Sequence, residues 1–353
     1  ASSVILATGG GGAIYERTDN PLRMTGDGYA LALEAGLELV DMEYVQFYPM
    51  GWDQEGFPVW MVGLTIIDYL PVTDENGREY IKEAFPSWGV ATGKEANLFA
   101  RDRAALLLAG HAARGGKTLL HLERLREEDF SIPDVRVSLM FDLPPEKRAA
   151  PVQVSPVQHY FTGGVPMDSE GRTSLPGLFV CGEASGGVDG ASRMGGNALT
   201  SILVFGLRAG KTAVDEPSPT VLSGSKEIPL PVSMRRPDPD GISPPEVRRS
   251  LRREVQQGLS PWRNGESIQR CLSRIETLNT MRSRLKIASA FDLLHALEMN
   301  GMYLTAEAVG RAALVREESR GVHFREEYPN ERAEWKRRVR IALAGGAMIA
   351  RKE

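Results

Sequence analysis

At 353 residues the chain is long enough for two or three domains with sizeable cores. Its 42 basic and 46 acidic side chains nearly cancel, which gives no general reason to expect nucleic acid. No apolar run approaches the length needed to cross a membrane, and no signal peptide is visible. The two cysteines, Cys181 and Cys271, sit in apolar patterns and read as buried thiols of a reducing compartment, not as a disulfide.

In chain order, Val4–Leu6 predict a short apolar strand that turns through Ala7-Thr8-Gly9-Gly10. The glycine run Gly9–Gly12 also reads as a plain flexible loop. Thr25-Gly26-Asp27-Gly28 opens a short helix through Tyr29, Leu31, Ala32 and Leu33, closed by Gly36 as a C-cap, and Leu37–Val40 resumes a strand. From about Trp52 to Pro151 the pattern weakens into short strands and turns such as Glu75-Asn76-Gly77. One clear helix stands in that stretch, through Ala104, Leu106, Leu107 and Leu108, with Arg101-Asp102 at its head.

The richest stretch is Gly177–Gly210. Leu178–Cys181 reads as a buried strand stopped by Gly182-Glu183, and Leu199, Ile202, Leu203, Phe205 and Leu207 then recur at helical spacing. Between them, Gly186, Gly187, Gly190, Gly195 and Gly196 let the backbone bend sharply and approach a ligand closely. A helix whose first amides emerge from Gly195-Gly196-Asn197 offers N–H donors and a positive dipole end to an anion. On this spacing alone, an ordinary glycine-rich turn into a helix is an equal reading.

Residues 215–245 carry eight of the 22 prolines and read as a linker. Ser243 as N-cap, followed by Pro244 and Pro245, starts the next helix, with Val247, Leu251, Val255 and Leu259 as its stripe. Two more stripes follow, Ile268/Leu272/Ile275/Leu278 and Leu294/Leu297/Leu304/Ala308, so a small helical bundle is predicted. Its arginine-rich faces read as solvated surface or as docking ground for a protein partner.

The segment LFVCGEASGGVDGASRMGGNAL resembles the flavin-contacting segment of the succinate dehydrogenase and fumarate reductase flavoprotein subunits; L-aspartate oxidase belongs to the same group. ATGG at Ala7–Gly10, TGDG at Thr25–Gly28, HYFTGG at His159–Gly164 and ESRGVHFREEYP at Glu318–Pro329 match the same family in its own order, so the resemblance spans nearly all of the chain. It implies an α/β FAD-binding (Rossmann-like) domain with an inserted α+β capping domain and a C-terminal helical bundle. The implied layout is 1–47 and 153–214 for the FAD-binding domain, 48–152 for the capping domain, 215–245 for the Pro-rich linker and 246–353 for the helical domain. Because no G-x-G-x-x-G follows a strand at the start, the FAD-binding domain is expected to be incomplete. The chain then resembles the C-terminal portion of a longer protein, lacking the N-terminal dinucleotide-binding motif.

The resemblance implies an FAD-dependent oxidoreductase acting on CH–CH bonds, with succinate and fumarate as the default pair. Such hydride transfer needs a positioned flavin, cationic or hydrogen-bonding groups to clamp carboxylates, and a proton donor on the opposite face of the substrate. FAD is expected against Ala7, Thr8, Gly9, Gly10, Asp27, Gly182, Glu183, Arg193, Ala198 and Leu199, with its mode of attachment left open. Glu183 would hold flavin hydroxyls, and the amides near Ala198 and Leu199 would face the N1/O2 edge. The implied catalytic set is Arg101, His159 and Arg193, converging on one face of the flavin ring. The planar fork of Arg193 suits a carboxylate, although without the family it reads as a loop arginine. His159 without the family reads as a satisfied structural histidine. Arg101 matches the family's proton-shuttling arginine, against the plainer reading of a helix-terminal ion pair with Asp102, and Arg103 is a weaker stand-in. With a pKa above ~12, an arginine could act as an acid only in a closed site whose neighbours resupply its proton. His323 is expected to be structural. His111, His121 and His295 lack metal-ligand spacing, so no metal site is expected.

Two departures bear on the substrate. In DMEYVQFYPMG, Tyr48 replaces the family's substrate-clamping histidine; it stays neutral and donates one hydrogen bond. GLTIIDYLPVTDENG at Gly63–Gly77 stands where the family has TEGxRGEGG, so the family's relay glutamate and arginine have no obvious counterparts. Thr65 is the candidate for the substrate-binding threonine, with Asp68 or Tyr69 for the relay; Tyr48, Thr65, His159 and Arg193 make the expected substrate contacts. Two rivals remain: a flavoenzyme of this family on another substrate (aspartate or another enoate), and a non-catalytic electron-transfer flavoprotein subunit. The resemblance implies a small carboxylate substrate. It leaves the electron partner open among a quinone, a soluble donor, oxygen and an iron–sulfur subunit. The expected location is cytoplasmic, or peripheral on the inner face of the membrane through partner subunits.

Overall fold

A computed structural model describes residues 2–140, 143–216 and 240–353. Most of the Pro-rich linker expected at 215–245 therefore lies outside the described residues. Two compact units divide the chain. One comprises Ala1–Glu16, Asn20–Val45 and Tyr160–Glu353, the other Arg17–Asp19 and Gln46–His159.

In the first unit the strand Val4–Leu6 pairs in parallel with Leu178–Val180, Val4 opposite Leu178. The helix Asp27–Glu34 lies between Gly26 at φ +81° and Gly36 at φ +85°, positions where a side chain would be strained. A Cβ on Gly26 would collide with the side chain of Thr305, so this glycine also lets the turn press against the long helix Ala290–Val315. The helix Asn197–Asp215 forms after Gly196, and its covered side is small: Ser201, Ala209 and Thr212. The leucines that announced it lie outward, Leu199 at 67% and Leu207 at 76% exposure.

The helices Pro244–Gly258, Gly265–Thr280 and Ala290–Val315 follow. The first two bury Val247, Leu251 and Val255, and Ile268, Cys271 and Ile275. Ser243 holds the N-cap position of the first, although its side chain makes no capping bond. The third buries Ala296, Met299, Met302, Ala306, Val309 and Ala313, leaving Leu297 exposed. Its closely packed face is thus made mostly of small residues and methionines; of the predicted stripe Ala308 is buried, Leu294 and Leu304 are half-buried and Leu297 is exposed. The unit ends in an antiparallel hairpin, Val339–Ala344 with Ala347–Lys352, to which Leu39–Val40 adds a third strand. This hairpin falls within the stretch assigned to the helical domain on the sequence. Both cysteines are free and buried.

The second unit is built on a four-stranded sheet in the order Val45–Trp52, Val152–Phe161, Thr118–Leu120, Val72–Thr73. Four short helices accompany it: Tyr80–Trp88, Gly93–Phe99, Arg101–Ala113 and Pro133–Leu139. Its core includes Trp52, Leu64, Ile66, Phe85, Leu108 and Val152. Residues 17–19 are stitched onto the strand Val152–Phe161, with Gln158 N–H donating to Arg17 C=O at 2.9 Å and Asp19 N–H to Gln158 C=O at 3.1 Å. Among the described residues, no helix is long and apolar enough to cross a membrane.

Candidate functional site

Within the second unit, Tyr48, Arg101 and His159 come together around one aromatic ring. Tyr48 is buried on the strand Val45–Trp52. Its hydroxyl donates to Asn97 Oδ1 at 2.6 Å and accepts from Leu64 N–H at 3.1 Å. Burial raises its pKa, so the phenol stays neutral. The Arg101 guanidinium lies 5.7 Å from the Tyr48 ring centroid, and the His159 ring meets it edge-on at 5.8 Å. Arg101 opens the helix Arg101–Ala113, as its sequence position implied. His159 Nδ1 lies 2.8 Å from Asp19 Oδ2. Thr65 is buried in the tight turn Leu64–Asp68.

The structure gives other work to several residues considered on the sequence. The proton of the Tyr48 hydroxyl is committed to Asn97, not held out for a ligand. Asp68 accepts from Gly93 N–H at 2.6 Å and Lys94 N–H at 3.0 Å, so it caps the helix Gly93–Phe99. Tyr69 is exposed, and its hydroxyl reaches Asp134. Arg103 is exposed beside Trp88 C=O. Asp102 accepts from Gln46 Nε2 at 3.1 Å.

In the first unit, the turn after Val4–Leu6 meets Glu183. A Cβ on Gly10 would fall 2.3 Å from Glu183 Oε1, so any side chain there would displace the Glu183 carboxylate. Glu183 Oε1 accepts from Phe161 N–H at 2.8 Å, and its C=O accepts from the Tyr29 hydroxyl at 2.9 Å. Gly9 at φ +74° and Gly182 at φ +71° hold the two turns. Ala7 and Thr8 lie exposed on the same turn, and Thr8 Oγ1 would touch any Cβ on Gly28. Asp27 accepts from Thr25 Oγ1 at 2.9 Å, and burial pushes its carboxyl upward. Arg193 is buried, its guanidinium 4.2 Å from the Tyr160 ring centroid. Ala198 and Leu199 lie in the first turn of Asn197–Asp215, where no side chain caps the amides and no acidic residue stands. A glycine floor, an uncapped helix start and a buried arginine suit an anionic cofactor with an extended flat body.

His323 is buried and its Nδ1 accepts from Arg263 Nη2 at 2.8 Å. Burial and the charges of Arg263, Arg316 and Arg325 hold its pKa well below the usual histidine range. Asp19 and Asn97 were not singled out in the sequence. Thr18-Asp19-Asn20 looks like a turn, and nothing local couples Asp19 to a histidine 140 positions away.

The family described as FAD binding domain matches residues 1–199, and the one described as fumarate reductase flavoprotein C-term matches residues 248–345. The chain belongs to the fumarate reductase/succinate dehydrogenase family of FAD-dependent oxidoreductases. Among the family's members, a fumarate reductase (CoM/CoB) subunit of Methanothermobacter marburgensis is 36% identical over 96% of this chain and 63% of its own length. L-aspartate oxidase of Streptomyces coelicolor is 31% identical, over 97% of this chain and 60% of its own. Among solved structures, Mycobacterium smegmatis Sdh1 in complex with UQ1 superposes with a TM-score of 0.80 at 27% identity, covering 100% of this chain and 62% of that one. The chain thus spans about three-fifths of the length of these relatives.

The FAD-binding match begins at residue 1, which corrects one expectation. The expectation that the N-terminal dinucleotide-binding part is missing from the FAD-binding domain fails, because the family matches from the first residue. Gly9–Gly12 directly follows the first strand as a glycine-rich turn, but it lacks the G-x-G-x-x-G spacing on which the expectation rested. FAD is the cofactor of this family's domain, and the glycine floor and helix start just described fit it.

Proposed function

We propose that this flavoprotein transfers hydride between FAD and a small dicarboxylate or related enoate, with Arg101 moving the proton. The observation that supports this reading is the gathering of Arg101 and His159 on the Tyr48 ring. In this reading the second unit is the capping domain, assigned to 48–152 on the sequence. Residues 1–47 and 153–214 form the FAD-binding domain, 215–245 the linker and 246–353 the helical domain.

FAD, when bound, gives or takes the hydride at its N5. The protein's own residues do the rest. Gly9, Gly10, Gly182 and Glu183 shape the cofactor's bed, with Ala7, Thr8 and Asp27 on the same turns. The amides at Ala198 and Leu199 face its negative edge. Arg193 forks onto a substrate carboxylate, His159 and Thr65 hold the substrate's polar groups, and Arg101 carries the proton at a guanidinium nitrogen. Tyr48 lines the same wall without a charge, so the clamp has one cation fewer than a site built on histidine there.

Fumarate is the first substrate to test, since the M. marburgensis relative is named for fumarate and CoM/CoB. That relative is named as one subunit of its enzyme, which supports a protein partner here. An iron–sulfur electron carrier is our choice for it, with the assembly cytoplasmic or peripheral to the inner face of a membrane. The aspartate oxidase relative favours a second reading, oxidation of an amino dicarboxylate.

The test is anaerobic turnover with reduced viologen against fumarate, other enoates and, with oxygen, L-aspartate. Arg101→Ala is expected to keep its FAD and lose at least about a hundredfold in kcat. Turnover surviving in that variant sinks the proton-transfer role. Reduction of another enoate but not fumarate keeps the chemistry and discards the substrate pair.

A further inference from the structure

We propose that Asp19 is a positioning residue that locks His159 in the Nδ1–H tautomer and so decides which ring nitrogen the site receives. The catalytic consequence rests on the reading above, in which His159 binds substrate; the tautomer itself does not.

The pair is short and sheltered: Nδ1 to Oδ2 is 2.8 Å, with side-chain exposure of 5% for Asp19 and 22% for His159. A carboxylate only accepts, so the hydrogen must be on Nδ1, whether the ring is neutral or charged. Nε2, on the opposite edge, then presents a lone pair in the neutral ring and an N–H in the charged one. Only the charged form offers a substrate carboxylate a charge-assisted bond.

The placement of Asp19 is built, not incidental. Residues 17–19 leave the rest of the N-terminal segment and run alongside the strand that carries His159, with Thr18 bridged in parallel to Gln158. The backbone amide of Asp19 donates to Gln158 C=O at 3.1 Å, the residue immediately before His159. Thr18 Oγ1 donates to Gln158 Oε1 at 2.6 Å, and Arg17 is fastened to Trp52 C=O at 2.9 Å and to Asp53. Aspartate and histidine thus hang from neighbouring rungs of one ladder, and a short side chain spans the gap with little freedom to lose. The other side of the imidazole meets the Tyr48 ring, whose hydroxyl is fixed by Asn97 and Leu64. Ring orientation and tautomer are therefore set together, as they are where a carboxylate backs a catalytic imidazole.

The test is nitrogen NMR of the FAD-loaded protein labelled with [15N]histidine. The chain has five histidines, and His159→Gln assigns the signal. At alkaline pH the wild type is expected to show a protonated Nδ1 and a bare Nε2 for His159. Asp19→Asn keeps the backbone rung and the size of the side chain, and should shift the ring toward the Nε2–H form; Asp19→Ala serves if the asparagine variant does not fold. An Nε2–H ring in the wild type, or an unchanged tautomer in the variant, overturns the proposal. Turnover of the enoate substrate should fall about ten- to a hundredfold in kcat/KM in Asp19→Asn, with FAD content unchanged. If the tautomer moves and turnover does not, the role of Asp19 stands and the reading of His159 as a substrate ligand falls.

Discussion

Asp41 sits at φ +58°, in the left-handed region that aspartate and asparagine tolerate better than most residues. It is buried, with Glu43 nearby and with Arg316 and Arg338 each 3.9 Å away. Burial first, and then the charge of Glu43, push its carboxyl up to about 7, against the pull of the two arginines. The sign follows from linkage. A carboxyl with a raised folded-state pKa stabilises the fold below the ordinary range near about 4, and that contribution is lost as pH climbs toward about 7. Asp41→Asn keeps the backbone preference and removes the ionisation. It should match the wild type at pH 4 and exceed its unfolding free energy by about 1–3 kcal/mol at pH 8. Urea titrations at the two pH values decide it; a difference that stays constant between them rules out a titrating Asp41.

At the level of elements, the helix Gly93–Phe99 is too short to hold itself without its start being satisfied. Asp68 binds the Gly93 and Lys94 amides, and Thr92 Oγ1 accepts from Glu95 N–H at 3.1 Å. Asp68→Ala should therefore cost about 1–2 kcal/mol in thermal or urea unfolding while leaving turnover per folded FAD-bound molecule unchanged. A loss of turnover without a loss of stability would return Asp68 to the proton path. The same elements show what the sequence could reveal. Asp27–Glu34 was legible because its two flanking glycines are both forced by positive φ. Ala290–Val315 was legible as a helix but only partly in its facing, since close packing favoured its small residues, Ala308 among them, over its leucines. The hairpin Val339–Lys352 carries its signal in plain sight, Gly345-Gly346 between alternating apolar runs, yet the strong helical stripes before it mask so short a pattern. Asp19 leaves no such signal, because a pairing across a ladder has no period in the sequence.

For the molecule as a whole, the first unit is closed by a residue that the family signature runs beside. Arg316 is 0% exposed and binds four partners, one of them, Glu43, far away in the chain and the others, Glu318, Trp335 and Arg337, shortly after it. Its Nε donates to Glu43, its Nη1 to Glu318 at 3.0 Å and to Trp335 C=O at 2.9 Å, and its Nη2 to Arg337 C=O at 2.8 Å. Tyr44 and Trp335 pack against the guanidinium, at 4.9 and 5.6 Å from their centroids. One side chain thus joins the segment after Leu39–Val40, the exit of the long helix and the approach to the final hairpin. A lysine offers a single point charge and cannot reproduce that fork. Arg316→Ala would leave Glu43 buried with its main counter-charge gone, while Glu318 keeps Arg320, a loss of about 3–5 kcal/mol. Arg316→Lys should recover only part of it. Adding Glu43→Gln to Arg316→Ala should restore stability by easing the stranded charge, which a loss of mere packing would not do. Equilibrium unfolding of the three variants, with retained FAD as a second readout, separates these cases, and an Arg316→Ala protein within about 1 kcal/mol of the wild type would show that the network is not what closes the unit.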